Sequence, residues 1–243
     1  MFGNNRWILT LCCLVCVSLP TVDASEKMTV ITYQEEPFAH QVKGVKQGMV
    51  IELIEKLFNQ AGIDYEVIFY PLKRGMAMAK SHQNTCVLPI ERSQQRESQY
   101  RWLGPVLLSR YGFYSKKALT TPLITLDDAK SYRIGSFLGS GVGEYLANYG
   151  YQVELANNDS LNLRKLARGR IELWAADVVT AKSIMNKEGI NVGEPELVFF
   201  TSIRAMACHL SMDEARHKAL SEALLVLYQS GYMTELNTKY GLK

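Results

Sequence analysis

The chain is short of cysteine and histidine, and it has no long apolar run beyond its first residues. Of 243 residues only five are cysteine and four are histidine. Three of the cysteines (Cys12, Cys13, Cys16) crowd the N-terminus, and only Cys86 and Cys208 remain beyond it. Two cysteines are too few for a disulfide scaffold or a thiolate metal centre. His40, His82, His209 and His217 are scattered, with no spacing that suits a metal ion, so no metal and no catalytic metal chemistry are expected. Charge of one sign is also missing. Lys and Arg total 27 against 24 for Asp and Glu, a formal net charge of +3, and no basic block is dense enough for nucleic acid. No run after the N-terminus approaches the length of a membrane span. No cofactor motif stands out, and none is expected.

What is present starts with a three-part leader. Arg6 precedes an uncharged apolar run over 7–19, Pro20 breaks it, and Val22-Asp23-Ala24 supplies small residues for cleavage. This reads as a secretory signal peptide over 1–24, which predicts an exported, soluble, periplasmic chain. Cys12 follows Leu11 and Cys16 follows Val15, where a lipid-anchored protein would have a small residue. An oxidising compartment permits a bridge between Cys86 and Cys208. Two buried thiols packed as small hydrophobes is the favoured reading.

Short β-branched runs alternate with helical periodicity. Strands are expected over 28–32, 65–70 and 85–90, with helices over 49–61 and 71–81 between them. Residues 102–116 are long, apolar and β-rich, and are read as a bridge between two lobes. The pattern then repeats: strands over 132–137, 151–155 and 171–176, helices over 142–149, 160–167 and 178–186. Thr125 and Asp128 form a capping-box pattern, and residues 211–214 are read as another, opening a helix that runs to 229. Two strands (197–200, 204–210) and a terminal helix (233–240) complete the set. The predicted class is α/β: two Rossmann-like lobes, each a mostly parallel sheet with flanking helices, joined by a hinge. Lobe one takes 25–110 plus 210–243, and lobe two takes 111–209.

The charged stretch over 88–105 leaves the end of a buried strand, where open α/β sheets gather ligand groups. It reads equally as a solvated surface loop. Its Arg96 has the planar fork that suits a carboxylate. Gly139-Ser140-Gly141 follows the first strand of lobe two and opens a helix, so Ser140 and Gly141 can present N–H groups to an anion. Asp177 ends the third strand there; it reads equally as a helix cap or as a partner for an ammonium. Together the three describe a receptor for an α-amino acid.

The chain resembles the periplasmic solute-binding proteins of polar amino acid transporters, family 3, over essentially all of 25–243. The likeness lies in Pro37-Phe38 after strand one, in Ser93-Gln94-Gln95-Arg96 before Trp102, and in Tyr132-Arg133-Ile134-Gly135 through Gly139-Ser140. It continues in Leu166-Ala167-Arg168-Gly169-Arg170 with Asp177 beyond, and in the ending with Gly231, Lys239 and Tyr240. The resemblance implies a type II periplasmic binding fold, a monomer that closes on a small solute, and an ABC transporter permease in the inner membrane as partner. It implies that Arg96 and the N–H groups at Ser140 and Gly141 hold the solute's carboxylate, and Asp177 its ammonium. Glu35 falls where relatives place an aromatic and Glu91 where they place a hydroxyl, so either can select a cationic group, and Glu91 can instead pair with Arg92 or Arg96. Arg74 matches a position at the cleft mouth.

The expected function is capture of an amino acid or similar small zwitterion for uptake, without catalysis. Two alternatives stay open. One is an exported cyclohexadienyl or arogenate dehydratase using Glu35 or Glu91 as its acid. The other is a ligand-sensing module for a membrane receptor.

Overall fold

The computed structural model describes residues 26–242, so the expected signal peptide over 1–24 lies outside the described residues. Its first strand, β1 (Met28–Thr32), is followed by a hairpin of β2 (His40–Val42) and β3 (Val45–Gln47). Lys43 and Gly44 form the hairpin's turn, both with positive φ. Helix α1 (Met49–Ala61) buries Met49, Val50, Leu53, Ile54, Leu57 and Phe58 on one stripe and stops at Gly62, whose left-handed φ of 65° closes the last turn. Then come β4 (Tyr65–Phe69), α2 (Leu72–Ser81), β5 (Thr85–Glu91) and a single helical turn, α3 (Gln94–Glu97).

The expected bridge is β6 (Arg101–Ser115). Past it the capping box of Thr125 and Asp128 forms as expected, over a short 3-10 turn. The second half then runs β7 (Arg133–Phe137), α4 (Gly141–Asn148), β8 (Gln152–Ala156), α5 (Asp159–Ala167), β9 (Leu173–Asp177) and α6 (Val178–Glu188). The two strands expected over 197–210 are one, β10 (Leu197–Cys208), with irregular register at Val198/Phe200 and Arg204/Met206. Helix α7 (Glu214–Gln229) starts from Asp213, whose carboxylate accepts from the Arg216 N–H, not from the Ser211 box that the sequence suggested. Helix α8 (Tyr232–Lys239) ends the fold. Among the described residues no helix is long and apolar enough to cross a membrane.

Eight strands make one continuous sheet, ordered β4-β1-β5-β10-β6-β9-β7-β8. The trio β4-β1-β5 is parallel, as is β9-β7-β8, and the long antiparallel pair β6/β10 joins them. Each trio carries helices on both faces. In the first half α1 and α7 cover one core and α2 the other; in the second, α4 covers one core and α5 with α6 the other. Parallel strands buried on both faces read as the apolar runs seen in the sequence.

One expectation is overturned. Cys86 and Cys208 are joined by a disulfide, not packed as separate thiols. They stand opposite each other where β5 and β10 pair. The sequence separation of 122 residues hides a direct neighbour relation that only the sheet order creates.

Candidate functional site

The parallel strands of both halves point their C-terminal ends at one crevice. Its walls come from Tyr33 and Glu35 after β1, Glu91 at the end of β5, Phe137 at the end of β7, Ser140 and Val142 at the start of α4, and Asp177 at the end of β9. Tyr111 of β6 and Arg204 of β10 form its floor, and Asp159, the first residue of α5, completes it. The cavity volume is about 10 Å³, so the two halves stand nearly closed on each other here. A second hollow, with a cavity volume of about 70 Å³, adjoins it through the shared Glu35, Phe137 and Asp159, and adds Gln34, Glu36, Ser160, Thr180 and Lys187. This is the place where open α/β sheets bind ligands.

Arg204 is the central cation, 1% exposed. Its Nη2 donates to Glu35 Oε2 at 2.5 Å and its Nη1 to Glu35 Oε1 at 3.2 Å. Nη2 also donates to the Tyr33 hydroxyl and to the Pro89 carbonyl, and Nη1 to Ser109 Oγ. Burial pushes the Glu35 carboxyl up to about 7; Arg204 pulls it down, and Asp177 and Glu91 push it up again. Arg204 itself is held charged by Glu35, Tyr33, Tyr111 and Glu91, against its own burial.

Arg96 sits beside this floor, 3% exposed, in α3. Its Nη2 donates to Glu144 Oε2 at 2.6 Å and to the Gly139 carbonyl at 2.9 Å; its Nη1 is 3.5 Å from Glu91 Oε2. Lys73 reaches the other oxygen of Glu144 at 2.8 Å. Glu91 accepts from the Tyr111 hydroxyl through Oε1, while its Oε2 is buried with no hydrogen-bond partner. Burial works against its charge, but Arg204, Arg96 and Tyr111 together hold its carboxyl below the ordinary value. Gly141 lets this happen. A Cβ there would stand 2.9 Å from Glu91 Cβ, so the bare backbone at the start of α4 is what admits the Glu91 side chain.

Asp177 takes the cap reading left open by its sequence position with one of its two oxygens, and the other oxygen is differently placed. Oδ1 accepts from the Val179 and Thr180 N–H groups at 2.9 Å each and caps α6. Oδ2 is buried without a partner. Burial raises its pKa, against the cap, Arg204 and the nearby Ser109 hydroxyl. Asp159 accepts from Trp174 Nε1 at 2.9 Å and Asn162 Nδ2 at 3.2 Å, yet burial still lifts it to about 6.

Of the residues singled out in the sequence, Glu35, Glu91, Ser140 and Asp177 line the crevice together. Arg96 and Gly141 stand directly behind Glu91, and Arg96 has Glu144 as its carboxylate. Ser140 spends its hydroxyl locally, donating to the Phe137 carbonyl and accepting from the Gly143 N–H. Arg74 is not brought in: it lies on the exposed face of α2, its guanidinium 4.1 Å from the Tyr70 ring centre. Sequence reasoning passed over Arg204, Glu144, Asp159, Tyr33 and Tyr111. A signal for Arg204 was available, since a lone charge inside the apolar run IRAMAC demands a buried partner.

No family model matches the chain. An L-cystine-binding protein of Escherichia coli is 22% identical over 210 residues, covering 84% of this chain and 78% of that one. A histidine kinase sensor domain with similarity to periplasmic binding proteins superposes with a TM-score of 0.81 at 18% identity, over 88% of this chain and 95% of that one. The arginine-, lysine-, histidine-binding protein of Geobacillus stearothermophilus gives 0.77 at 20% identity, over 90% and 96%. The resemblance read from the motifs is borne out, and the fold is that of the type II periplasmic binding proteins.

Proposed function

We propose that the chain is an extracytoplasmic solute-binding protein. It captures an amino acid or similar small zwitterion in the crevice and presents it, as a monomer, to an ABC-type permease. Lobe one (25–110 with 210–243) and lobe two (111–209) close on the solute by bending at β6 and β10. Two features support closure. Lys73 and Arg96 of lobe one both grip Glu144 of lobe two, and Lys187 of lobe two pairs with Glu36 of lobe one. Hinge closure around a ligand is a common device of two-lobed binding proteins.

The observation that carries the reading is Asp177 Oδ2, a buried acceptor on the crevice wall that no backbone N–H or cation of the chain bonds, with only the Ser109 hydroxyl near enough to ease its charge. Buried polar atoms are nearly always satisfied, and a solute ammonium satisfies this one. The reading is of binding without chemistry. Of the two acids a dehydratase could use, Glu35 is engaged through both oxygens by Arg204, and Glu91, against its burial, is held below its ordinary value by Arg204, Arg96 and Tyr111. Mass spectrometry of the small molecules that co-purify with the exported protein tests the proposal. An amino-group-bearing solute released on denaturation is expected. Absence of any solute, together with no thermal shift across a panel of amino acids and amines, overturns it.

A further inference from the structure

A solute carboxylate would dock on Arg96 or on the start of α4; the chain has already put a carboxylate of its own on the first and crowds the second with another. Glu144 occupies Arg96 Nη2 at 2.6 Å, and Glu91 stands 3.5 Å from Nη1. The Glu91 side chain also lies against Gly141, the first residue of α4, where a solute carboxylate would meet the free N–H groups. The remaining buried guanidinium, Arg204, has both oxygens of Glu35. No guanidinium fork of the crevice is left for an anion; Arg204 keeps only its Nε donor without a partner.

The acids are in the opposite condition. Glu35, Glu91, Asp159 and Asp177 all line the crevice, and Arg204 is the one cation among its lining residues. Two of these acids, each 2% exposed, keep an oxygen with no hydrogen-bond partner: Glu91 Oε2 and Asp177 Oδ2. Asp159 and Glu35 carry the same acidic lining onward into the adjoining hollow, whose cation, Lys187, is paired with Glu36. A buried carboxylate is retained where a cation or a donor meets it. A solute with N–H donors at two ends meets Asp177 and Glu91 at the inner end, and Asp159 at the outer.

We infer that the crevice selects its solute by positive charge: it takes a small organic cation, a diamine or a guanidinium-bearing amine, and the solute's α-carboxylate contributes little. This rests on the solute-binding reading and states which end of the solute carries the affinity. Amines derived by loss of the carboxylate are therefore ligands in their own right.

Calorimetry near neutral pH with agmatine, cadaverine, arginine, lysine, glutamine and glutamate tests it. Agmatine and cadaverine are expected to bind at least as tightly as arginine and lysine, and glutamine about 100-fold more weakly, as befits loss of a buried charge partner. Tightest binding by glutamine or glutamate, with the amines weaker than their parent amino acids by a similar factor, overturns the inference and leaves the solute-binding reading intact. Failure of every solute to bind overturns that reading itself. A second variant tests the cause. Glu144→Gln frees Arg96 for a solute carboxylate, so the preference for arginine over agmatine is expected to rise about tenfold or more. An unchanged ratio in a folded variant overturns the account of the filled carboxylate position.

Discussion

Arg204 and Glu35 face each other as two parallel forks, Nη2 to Oε2 at 2.5 Å and Nη1 to Oε1 at 3.2 Å, across 169 residues of chain. One belongs to the strand that joins the halves and the other to the loop after β1. Removing the cation leaves a carboxylate 8% exposed with its principal partner gone. Arg204→Met is therefore expected to lower unfolding stability by about 3–5 kcal/mol. Urea denaturation checks this. Adding Glu35→Gln to the variant removes the orphaned charge and recovers part of the loss, whereas two independent, additive losses would contradict the pairing.

The same burial sets a pH dependence. Glu35, facing Arg204, Tyr33, Asp177 and Glu91, has its carboxyl raised from 4.5 to about 7, with burial the main cause. A raised carboxyl binds its proton more tightly in the folded chain, so its stabilisation is present at low pH and is lost as pH climbs from 4.5 to about 7. Relative to Glu35→Gln, the natural chain should lose about 3 kcal/mol over that window. Asp159, raised from 3.8 to about 6, acts in the same direction at lower pH. Glu91 and Glu144 act oppositely, because burial is outweighed by Arg204 and Arg96 for the first and by Lys73 and Arg96 for the second. Their stabilisation is complete above 4.5 and is lost as pH falls through their lowered values. Denaturant unfolding of both proteins across this range measures the difference; a flat difference contradicts it.

The bridge between Cys86 and Cys208 closes a loop of 122 residues and ties β5 to β10. Constraining so long a loop in the unfolded chain is worth about 2–5 kcal/mol. Cys86→Ala with Cys208→Ala is expected to fold and to melt at lower temperature by that margin. Alkylation of the natural protein without reductant should label neither thiol, and labelling of both would contradict the bridge.

The sequence made the helices and the parallel trios legible because their signals are local: the stripe from Met49 to Phe58, Gly62 past its end, and the Thr125–Asp128 box. The Asp177 position was legible too, since a strand end entering a helix is a local event. What failed was non-local. The pairing of Cys86 with Cys208 depends on β10 lying beside β5. The register irregularities of β10 broke its alternation and made one strand read as two. Arg96 was read as a grip for a solute carboxylate; in the structure it holds Glu144, 48 residues away on another helix. Glu91 was read as a partner for Arg92 or Arg96; Arg92 turns outward to Glu97, and it is Arg96 that stands 3.5 Å from Glu91 in the interior.

Asp177 allows its two roles to be separated by one substitution. Asn caps a helix about as well as Asp, so Asp177→Asn should keep stability within about 1 kcal/mol. It removes the negative charge from the crevice, and affinity for a cationic solute should fall by about 2–5 kcal/mol. Thermal melts and calorimetry on one preparation read both. A variant that melts early with affinity unchanged would leave Asp177 a cap alone.

The most direct test of the account is a crystal structure of the protein with its co-purified solute, or with agmatine, bound. The account places a solute nitrogen about 3 Å from Asp177 Oδ2, with Glu91 Oε2 beside it and Glu144 still on Arg96. A solute whose carboxylate has displaced Glu144 from Arg96, with no nitrogen at Asp177, would contradict it.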